Sequence, residues 1–425
     1  MQQQKTSASW KQQLAWGATP LCLAIAVSFS WAPSAYAQRE ITLTEVIALT
    51  MQSSPILRSI DEDFAGRLAH AVEAEILQNP ELGFIVKTPT SGGGTGAEAE
   101  LIQPLRWSDF GSRRLYAAAL REVASIEQEA ALFYLVNQST ELYFQYWIAQ
   151  EREKIAADAV FDVGRINRQI EQVRKRGDRP LSEFNLFGAE AERWVQEQKA
   201  RRAEQAQLRS EIAVATGLIG QSLTARAPDL PKLPTGVDEL IRFAQARGYG
   251  RKLAESSLAA AERRLQVARA DRWPEVGPRL FYEREPGGGD TIGFGASLTL
   301  PLWDRNQAEI MRAQASVTST RTHLRQLRQG NLEALVIGRH KQAALLAERA
   351  EAYTQKIAPA YRQNYQRFQT MFERGQVTLF DLWQAQQSVI EISDDVLAKQ
   401  FEALQVRLAL EQVIGGKLEE VGQND

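Results

Sequence analysis

Cysteine is almost absent from this 425-residue chain, which contains only Cys22. Cys22 lies in an N-terminal segment that we expect to be removed, so the remaining chain offers no disulfide, no thiolate metal ligand and no cysteine nucleophile. The three histidines, His70, His323 and His340, have no metal-ligand spacing. No Ser-His-Asp set, phosphate-binding loop or catalytic carboxylate pair stands out. We therefore predict that the chain is not an enzyme and holds no cofactor or metal of its own.

The N-terminal segment has the order of a secretory signal peptide. Lys5 and Lys11 precede an apolar stretch over 14–31, and Ala35-Tyr36-Ala37 follows it. This order predicts cleavage after residue 37, so residues 1–37 form the signal peptide and the rest of the chain leaves the cytoplasm.

Two alternatives for the same segment are disfavoured. An uncleaved membrane anchor is interrupted by Pro20 and Pro33. A lipoprotein signal needs a small residue before its cysteine, whereas Leu21 precedes Cys22. We expect a chain that is not lipidated.

Strong charge and long apolar runs are missing from the rest of the chain. Removal of residues 1–37 leaves 48 basic and 52 acidic residues, a net charge of −4, which argues against a nucleic-acid partner. No other segment approaches 18 consecutive apolar residues, so we predict no transmembrane helix. A membrane location would then require a β-barrel.

A pattern nearly 200 residues long occurs twice. The matched segments include Thr44–Ile47 with Asp238–Ile241, Pro80–Leu82 with Pro274–Val276, and Arg176–Gly177 with Arg374–Gly375. Their separation drifts only from 194 to 198 residues, which unrelated helical segments would rarely give. We predict two structural repeats, residues 38–235 and 236–417, followed by a C-terminal tail, 418–425.

Each predicted repeat has the order helix, strand pair, long helix, sharp turn, long helix. The first helices are expected over 44–77 and 238–272. No proline occurs between Pro104 and Pro180 or between Pro301 and Pro359, and these stretches are rich in good helix formers. A helix of about 65–70 residues reaches roughly 100 Å, which suits a coiled coil or a tube. Pro359 should kink its helix.

The strand pairs are the main sequence evidence for a membrane location. In the second repeat, strands are predicted over 276–285 and 291–300, and in the first repeat over 84–87 and 97–105. The last strand alternates completely, and the apolar set from which we predict a lipid-facing surface includes Ile292, Phe294 and Leu298. Ten alternating residues are typical of an outer-membrane barrel strand. A half-buried strand of a soluble sheet has the same pattern, but long helices flank these strands on both sides.

Four strands are too few to close a barrel. Known outer-membrane barrels begin at eight strands, so several chains must share one barrel. Geometry permits a dimer with eight strands or a trimer with twelve. A trimer leaves room for a lumen, whereas eight strands are filled by their own side chains.

Several motifs together carry a family resemblance. They are Leu43–Val46, Asn79–Leu82, Gln103–Leu105, Gly111–Arg114 and Leu300–Gln307. With these, essentially all of the predicted mature chain resembles the TolC-like outer-membrane factor family, and the second and last motifs are most similar to its heavy-metal-efflux, CzcC-like branch.

The resemblance implies a mainly α fold with a small β part. It implies a homotrimer whose long α-helical barrel, a coiled-coil tunnel, crosses the periplasm, and whose shared 12-stranded transmembrane β-barrel lies in outer-membrane lipid. Such a channel passively conducts substrate, here including heavy-metal cations, from an inner-membrane pump of the RND type and a periplasmic adaptor, or membrane fusion protein. The alternative function is a periplasmic adaptor or scaffolding coiled coil without a pore.

The resemblance also assigns the two helical tips, 176–183 and 374–381, to the periplasmic aperture and to adaptor contact. The residues concerned are Gly177, Leu181, Ser182, Glu183, Gly375, Thr378, Leu379 and Asp381. The glycines suit helix C-caps, and Ser182 and Thr378 suit N-caps. Glu183 and Asp381 would form carboxylate rings that favour cations. Alternatively, they are first-turn acids favoured by the helix dipole.

Two tryptophans follow the strand pairs. Trp107 and Trp303 suit either an aromatic girdle at the membrane boundary or packing against the helices.

Overall fold

The computed structural model describes residues 39–88, 90, 94–174, 181–228, 233 and 236–421. Side chains are described at these positions except 169–174, 181–187, 329 and 330. The predicted signal peptide, 1–37, and the last four residues of the predicted tail lie outside the described residues.

Long helices and short strands alternate along the chain. The first half contains β1 (Arg39–Ile41), α1 (Leu43–Ser53), α2 (Pro55–Glu75), β2 (Glu81–Lys87), β3 (Gly96–Ile102), a 3-10 turn (Trp107–Phe110), α3 (Ser112–Arg174), α4 (Leu181–Thr216) and β4 (Leu223–Ala225). The second half contains α5 (Val237–Arg247), α6 (Tyr249–Ala270), β5 (Glu275–Arg284), β6 (Asp290–Thr299), α7 (Gln307–Gln326), α8 (Leu332–Ala352), α9 (Ala358–Glu373), α10 (Leu379–Ile414) and a 3-10 turn (Leu418–Glu420). The strand pairs and long helices lie close to the predicted positions, although β2 begins at Glu81 instead of 84 and β3 ends at Ile102 instead of 105.

The opening helix of each half is broken, so the prediction of single helices over 44–77 and 238–272 was wrong. Ser54 is extended and its hydroxyl accepts a bond from the N–H of Ile56 at 3.2 Å. The reason is Pro55, because a proline disfavours the helical conformation in the residue before it. In the second half the break falls at Gly248, where a Cβ would collide with the carbonyl oxygen of Ala244.

The helix α3 contains 63 residues and is about 95 Å long. Its counterpart in the second half is interrupted by two π turns, Leu327–Asn331 and Tyr353–Ile357. The second π turn directly precedes α9, which carries Pro359 in its first turn. A wider turn there suits a proline, which has no N–H to donate to the preceding helical turn.

The four longer strands form one antiparallel sheet in the order β2-β3-β5-β6. Each hairpin pairs within itself, and β3 pairs with β5 to join the two hairpins. In one cross-strand row Phe84, Ala99, Tyr282 and Ile292 are neighbours. Within the described residues, β2 and β6 therefore each keep one edge without a partner strand.

A second sheet, which the sequence patterns did not predict, contains the parallel strands β1 and β4. Two tyrosines one turn apart on α3 hold it. The Tyr143 hydroxyl shares its one proton between the carbonyl oxygens of Ile41 at 3.0 Å and Arg226 at 2.6 Å, and the Tyr146 hydroxyl donates to that of Leu223 at 2.5 Å. Burial raises the pKa of Tyr143 to about 12.

The largest core surrounds this small sheet. Its members are Ile41, Val46, Tyr143, Phe144, Tyr146, Ile212, Ala213, Leu218, Leu223, Ala225, Leu404 and Leu408. They bring α1, α3, α4 and α10 together at one level of the long helices. Across the described residues, no helix combines the length and hydropathy needed to cross a membrane.

Candidate functional site: a two-faced sheet and a helical tip

One face of the four-stranded sheet is apolar from edge to edge, except at the hairpin end of β5 and β6, where Arg284 pairs with Asp290 at 3.0 Å. The register places on it Leu82, Phe84, Val86, Ala97, Ala99, Leu101, Pro278, Leu280, Tyr282, Ile292, Phe294, Ala296 and Leu298. Ile292 is 72% exposed and Phe294 86% exposed. Soluble monomers rarely expose a contiguous apolar surface of this kind, so the face is suited to an apolar environment. Contact of Ile292, Phe294 and Leu298 with lipid stays a prediction.

Aromatic side chains lie next to the sheet at its helical end. Trp107 and Phe110 have ring centroids 6.0 Å apart and are 50% and 71% exposed. Trp303, after β6, is 87% exposed, which excludes the alternative that it packs against the helices of its own chain. Exposed tryptophans at the end of an apolar band are typical of a membrane boundary.

The opposite face carries a ladder of ion pairs across three strands. Lys87 lies 2.8 Å from Glu98 and 2.6 Å from Glu283, and Arg279 lies 2.7 Å from Glu100 and also pairs with Glu98. These contacts tie β2, β3 and β5 together. The residues of β6 on this face are all small and uncharged: Thr291, Gly293, Gly295, Ser297 and Thr299.

The tip between α9 and α10 is built by two local caps. Gly375 has φ +71°, and the N–H groups of Gly375 and Gln376 donate to Phe372 and Met371, each at 2.9 Å. The Thr378 N–H donates to Oδ2 of Asp381 at 2.8 Å, and the Asp381 N–H donates to Oγ1 of Thr378 at 3.2 Å. The predicted glycine C-cap and threonine N-cap are thus both confirmed.

Asp381 acts as the first-turn acid that the sequence left as an alternative to an aperture role. Hydrogen bonds from the Thr378 side chain and backbone lower the pKa of the Asp381 carboxyl below its ordinary value. Both hydrogen bonds that Thr378 donates to this carboxylate use Oδ2. The cap therefore keeps a charged carboxylate on the helix N-terminus without engaging its second oxygen in these bonds.

Leu379, predicted to contact an adaptor, is buried at this tip. It is 5% exposed and clusters with Ile166 and Leu382. The adjacent Phe380 is 52% exposed, a residue that sequence reasoning did not select. Only the side of α10 that faces away from α3 is available to a partner, so Phe380 is the better contact candidate.

The first tip is only partly described. Gly177 lies outside the described residues, and Leu181, Ser182 and Glu183 belong to α4 without described side chains. Because α4 includes Leu181, Ser182 lies inside the helix and the prediction that it is the N-cap was wrong.

A further contact links α9 to α3. The Tyr365 hydroxyl donates to Asp162 at 3.4 Å.

No metal centre is suggested by the side chains. In the described ranges, no group of three or more His, Cys, Asp or Glu side chains is placed to hold a metal ion.

Comparison with known proteins gives this arrangement a context. Residues 252–416 match the family model described as outer membrane efflux protein. Among solved structures, CusC superposes with a TM-score of 0.70 at 18% identity over 88% of this chain and 92% of CusC. VceC of Vibrio cholerae gives 0.72 at 18% over 88% and 96%, and the outer-membrane channel OprN gives 0.72 at 19% over 89% and 90%.

The chain has the fold of the outer-membrane efflux channels. At this level the resemblance to outer-membrane factors is confirmed, and the similar structures CusC and OprN are channels rather than enzymes. The CzcC-like branch stays a prediction. No curated protein matches the sequence.

Proposed function

We propose that this chain is the outer-membrane channel subunit of a tripartite efflux system and conducts substrate passively. The observation that carries the proposal is the two-faced sheet on long helices. Its exposed apolar face suits lipid hydrocarbon, and its charged face suits a water-filled lumen. An outer-membrane efflux channel fold over 88% of the chain supports the same function.

Three copies would complete the pore. The partnerless edges of β2 and β6 are not tolerated in lipid, so β2 of one copy would pair with β6 of the next. A homotrimer then shares a 12-stranded barrel, with lipid against Ile292, Phe294 and Leu298. In this arrangement each chain supplies two structural repeats, residues 38–235 and 236–417. The recurrence of the element order and the two helix breaks, at Ser54 and Gly248, support that organisation.

The helices would prolong the bore into the periplasm. With α3 about 95 Å long, the tips lie far from the sheet. We place the channel in the outer membrane after removal of residues 1–37, with its tips docked on a periplasmic adaptor and an RND-type pump. Phe380 is exposed for such a contact. Asp381 and Glu183 are proposed to line the aperture, and the Oδ1 atom of Asp381 is oriented by a cap that uses Oδ2.

Heavy-metal cations are the proposed cargo. The supporting features are the motifs Asn79–Leu82 and Leu300–Gln307, which are similar to the CzcC-like branch. Deletion of the gene should lower tolerance to divalent metal salts, and the wild-type gene should restore it. Unchanged metal tolerance together with lost tolerance to organic drugs would reject the cargo and retain the channel.

Single-cysteine labelling tests the channel itself. Ala296→Cys and Ser297→Cys are adjacent on β6 but lie on opposite faces, and both positions are exposed within one chain. In a Cys22→Ser background, a membrane-impermeant thiol reagent should label only the Ser297 variant in outer membranes. Both variants should run as a trimer in SDS until heated.

Equal labelling of the two variants, in a protein released without detergent, would reject the proposal. That outcome would favour the alternative, a periplasmic adaptor or scaffold without a pore.

A further inference from the structure

We propose that the charged face of the β2-β3-β5-β6 sheet is a pore wall whose large side chains lie flat over glycines, and that this wall favours cations over anions. The inference rests on the proposed channel function and concerns the barrel, at the opposite end of the molecule from the aperture.

Phe281 is the largest side chain on this face, and it lies across the neighbouring strand. Its cross-strand partner is Gly293. A Cβ at Gly293 would lie 2.6 Å from Cε1 and 3.0 Å from Cε2 of the Phe281 ring. Any side chain at 293 must therefore displace the ring. The Arg279 guanidinium lies over the face of the ring, with Cζ 5.1 Å from the centroid. The ring is thus held against the sheet instead of projecting from it.

Glu100 repeats this arrangement toward the other edge of the sheet, in the same cross-strand row as Phe281. Its cross-strand partner is Gly83, and a Cβ there would lie 2.7 Å from Oε1 and 2.8 Å from Cγ of Glu100. The carboxylate is held in place by Arg279 at 2.7 Å. At both glycines a side chain from the neighbouring strand occupies the space that a Cβ would need. The side chain therefore lies against the sheet, and the wall stays thin.

Gly295 shows that the arrangement is specific to certain positions. It lies on β6 two residues from Gly293 and on the same face, yet a Cβ there would have no atom within 4 Å. An alanine at 295 adds a methyl group in open space, whereas an alanine at 293 moves an aromatic ring. The chain therefore provides its own matched control.

The ladder leaves an excess of negative charge. Two cations, Lys87 and Arg279, face three carboxylates, Glu98, Glu100 and Glu283. The register places Glu81 and Glu275 on the same face, so each chain adds three net negative charges to the wall, one of them from the ladder. Rings of carboxylates favour cations in channels. Because Glu98 contacts both cations and its side chain is only 8% exposed, Glu100 and Glu283 supply the charge closer to solvent.

Heat dissociation of the trimer in SDS tests the thin wall. Gly293→Ala should dissociate at a lower temperature than wild type, because its methyl group displaces the Phe281 ring, whereas Gly295→Ala should dissociate at the wild-type temperature. Adding Phe281→Ala to the Gly293→Ala variant should recover part of the loss, because no ring is left to displace. Equal dissociation temperatures of the two glycine variants would overturn the thin wall.

Reversal potentials in a KCl gradient test the cation preference of the wall. This measurement does not depend on assembly of the Gly293→Ala variant. Glu283→Gln should lower the cation-to-anion permeability ratio by about twofold, since three charges roughly 10 Å from the axis are partly screened. The control is Glu73→Gln, which removes the same charge from an α2 side chain that is 80% exposed. This variant should not change the ratio. An unchanged ratio in Glu283→Gln would overturn the cation preference of the wall. Wild-type protein that forms no channels would instead reject the proposed function.

Discussion

Removal of the Tyr143 hydroxyl should show how much one buried hydrogen bond contributes to the stability of the fold. The side chain is 1% exposed and donates to the carbonyl oxygens of Ile41 and Arg226. In Tyr143→Phe the Ile41 carbonyl keeps its bond from the Arg226 N–H at 3.1 Å, whereas the Arg226 carbonyl loses its tyrosine donor. The expected cost is one bond plus one partly unsatisfied carbonyl, about 1–3 kcal/mol per chain.

The pH dependence of this difference identifies the hydroxyl. The pKa of Tyr143 is raised from 10.0 to about 12 in the folded protein, because burial disfavours the phenolate. A raised pKa contributes stability that is complete below the unfolded value and is lost as the pH rises through the folded value. The stability difference between wild type and Tyr143→Phe should therefore be constant below about pH 10 and shrink between about pH 10 and pH 12.

Chemical unfolding followed by circular dichroism in detergent, at pH 8 and at pH 11.5, measures both effects. Tyr146→Phe is the matched control for a single bond, because that hydroxyl donates only to Leu223 among the bonds described. A Tyr143→Phe difference of equal size at the two pH values would refute the assignment of the stability to the neutral, donating hydroxyl.

Four further predictions concern the tip and a buried charge. Asp381→Ala should change conductance and cation preference without loss of the trimer. Thr378→Ala is the control, because it breaks the same cap but keeps the charge. Equal single-channel recordings from the two variants would remove Asp381 from the aperture. In wild type the cation preference should persist until the pH falls below the ordinary aspartate range, because Thr378 lowers the pKa of Asp381. Gly375→Ala should destabilise the tip by about 1–2 kcal/mol, since alanine at φ +71° is strained, and faster limited proteolysis at the tip would show it. Arg407→Met should cost about 1–3 kcal/mol and reduce the amount of folded trimer on gels, because Glu411, 2% exposed, would lose one charged partner at 3.3 Å and keep Lys417 at 3.2 Å.

Local features were predictable because they depend on residues close together in the chain. The alternation over 291–300 places β6, observed as Asp290–Thr299. The C-cap at Gly375 and the N-cap at Thr378 are set by bonds spanning five residues or fewer. The break at Ser54 also had a local signal in Pro55, which the helix prediction overlooked. The break at Gly248 had none, because Gly66 and Gly164 lie within unbroken helices.

Contacts between distant segments were not predictable from sequence patterns. The strands β1 and β4 have three residues each, too few for a recognisable pattern, and more than 180 residues separate them. Burial at the second tip is similar: Leu379 and Phe380 are both apolar neighbours, and only the position of α3 decides that Leu379 is covered and Phe380 exposed.

The sequence by itself determined where this chain forms long helices and alternating strands, because proline spacing, propensity and period-two hydropathy act over a few residues. Only the tertiary structure decided which residues meet across the sheet. Lys87 and Glu283 are 2.6 Å apart although 196 residues separate them, because β3 pairs with β5 in one register. A register shift of one residue would move each side chain to the opposite face, so the apolar and charged faces exist only once that pairing forms.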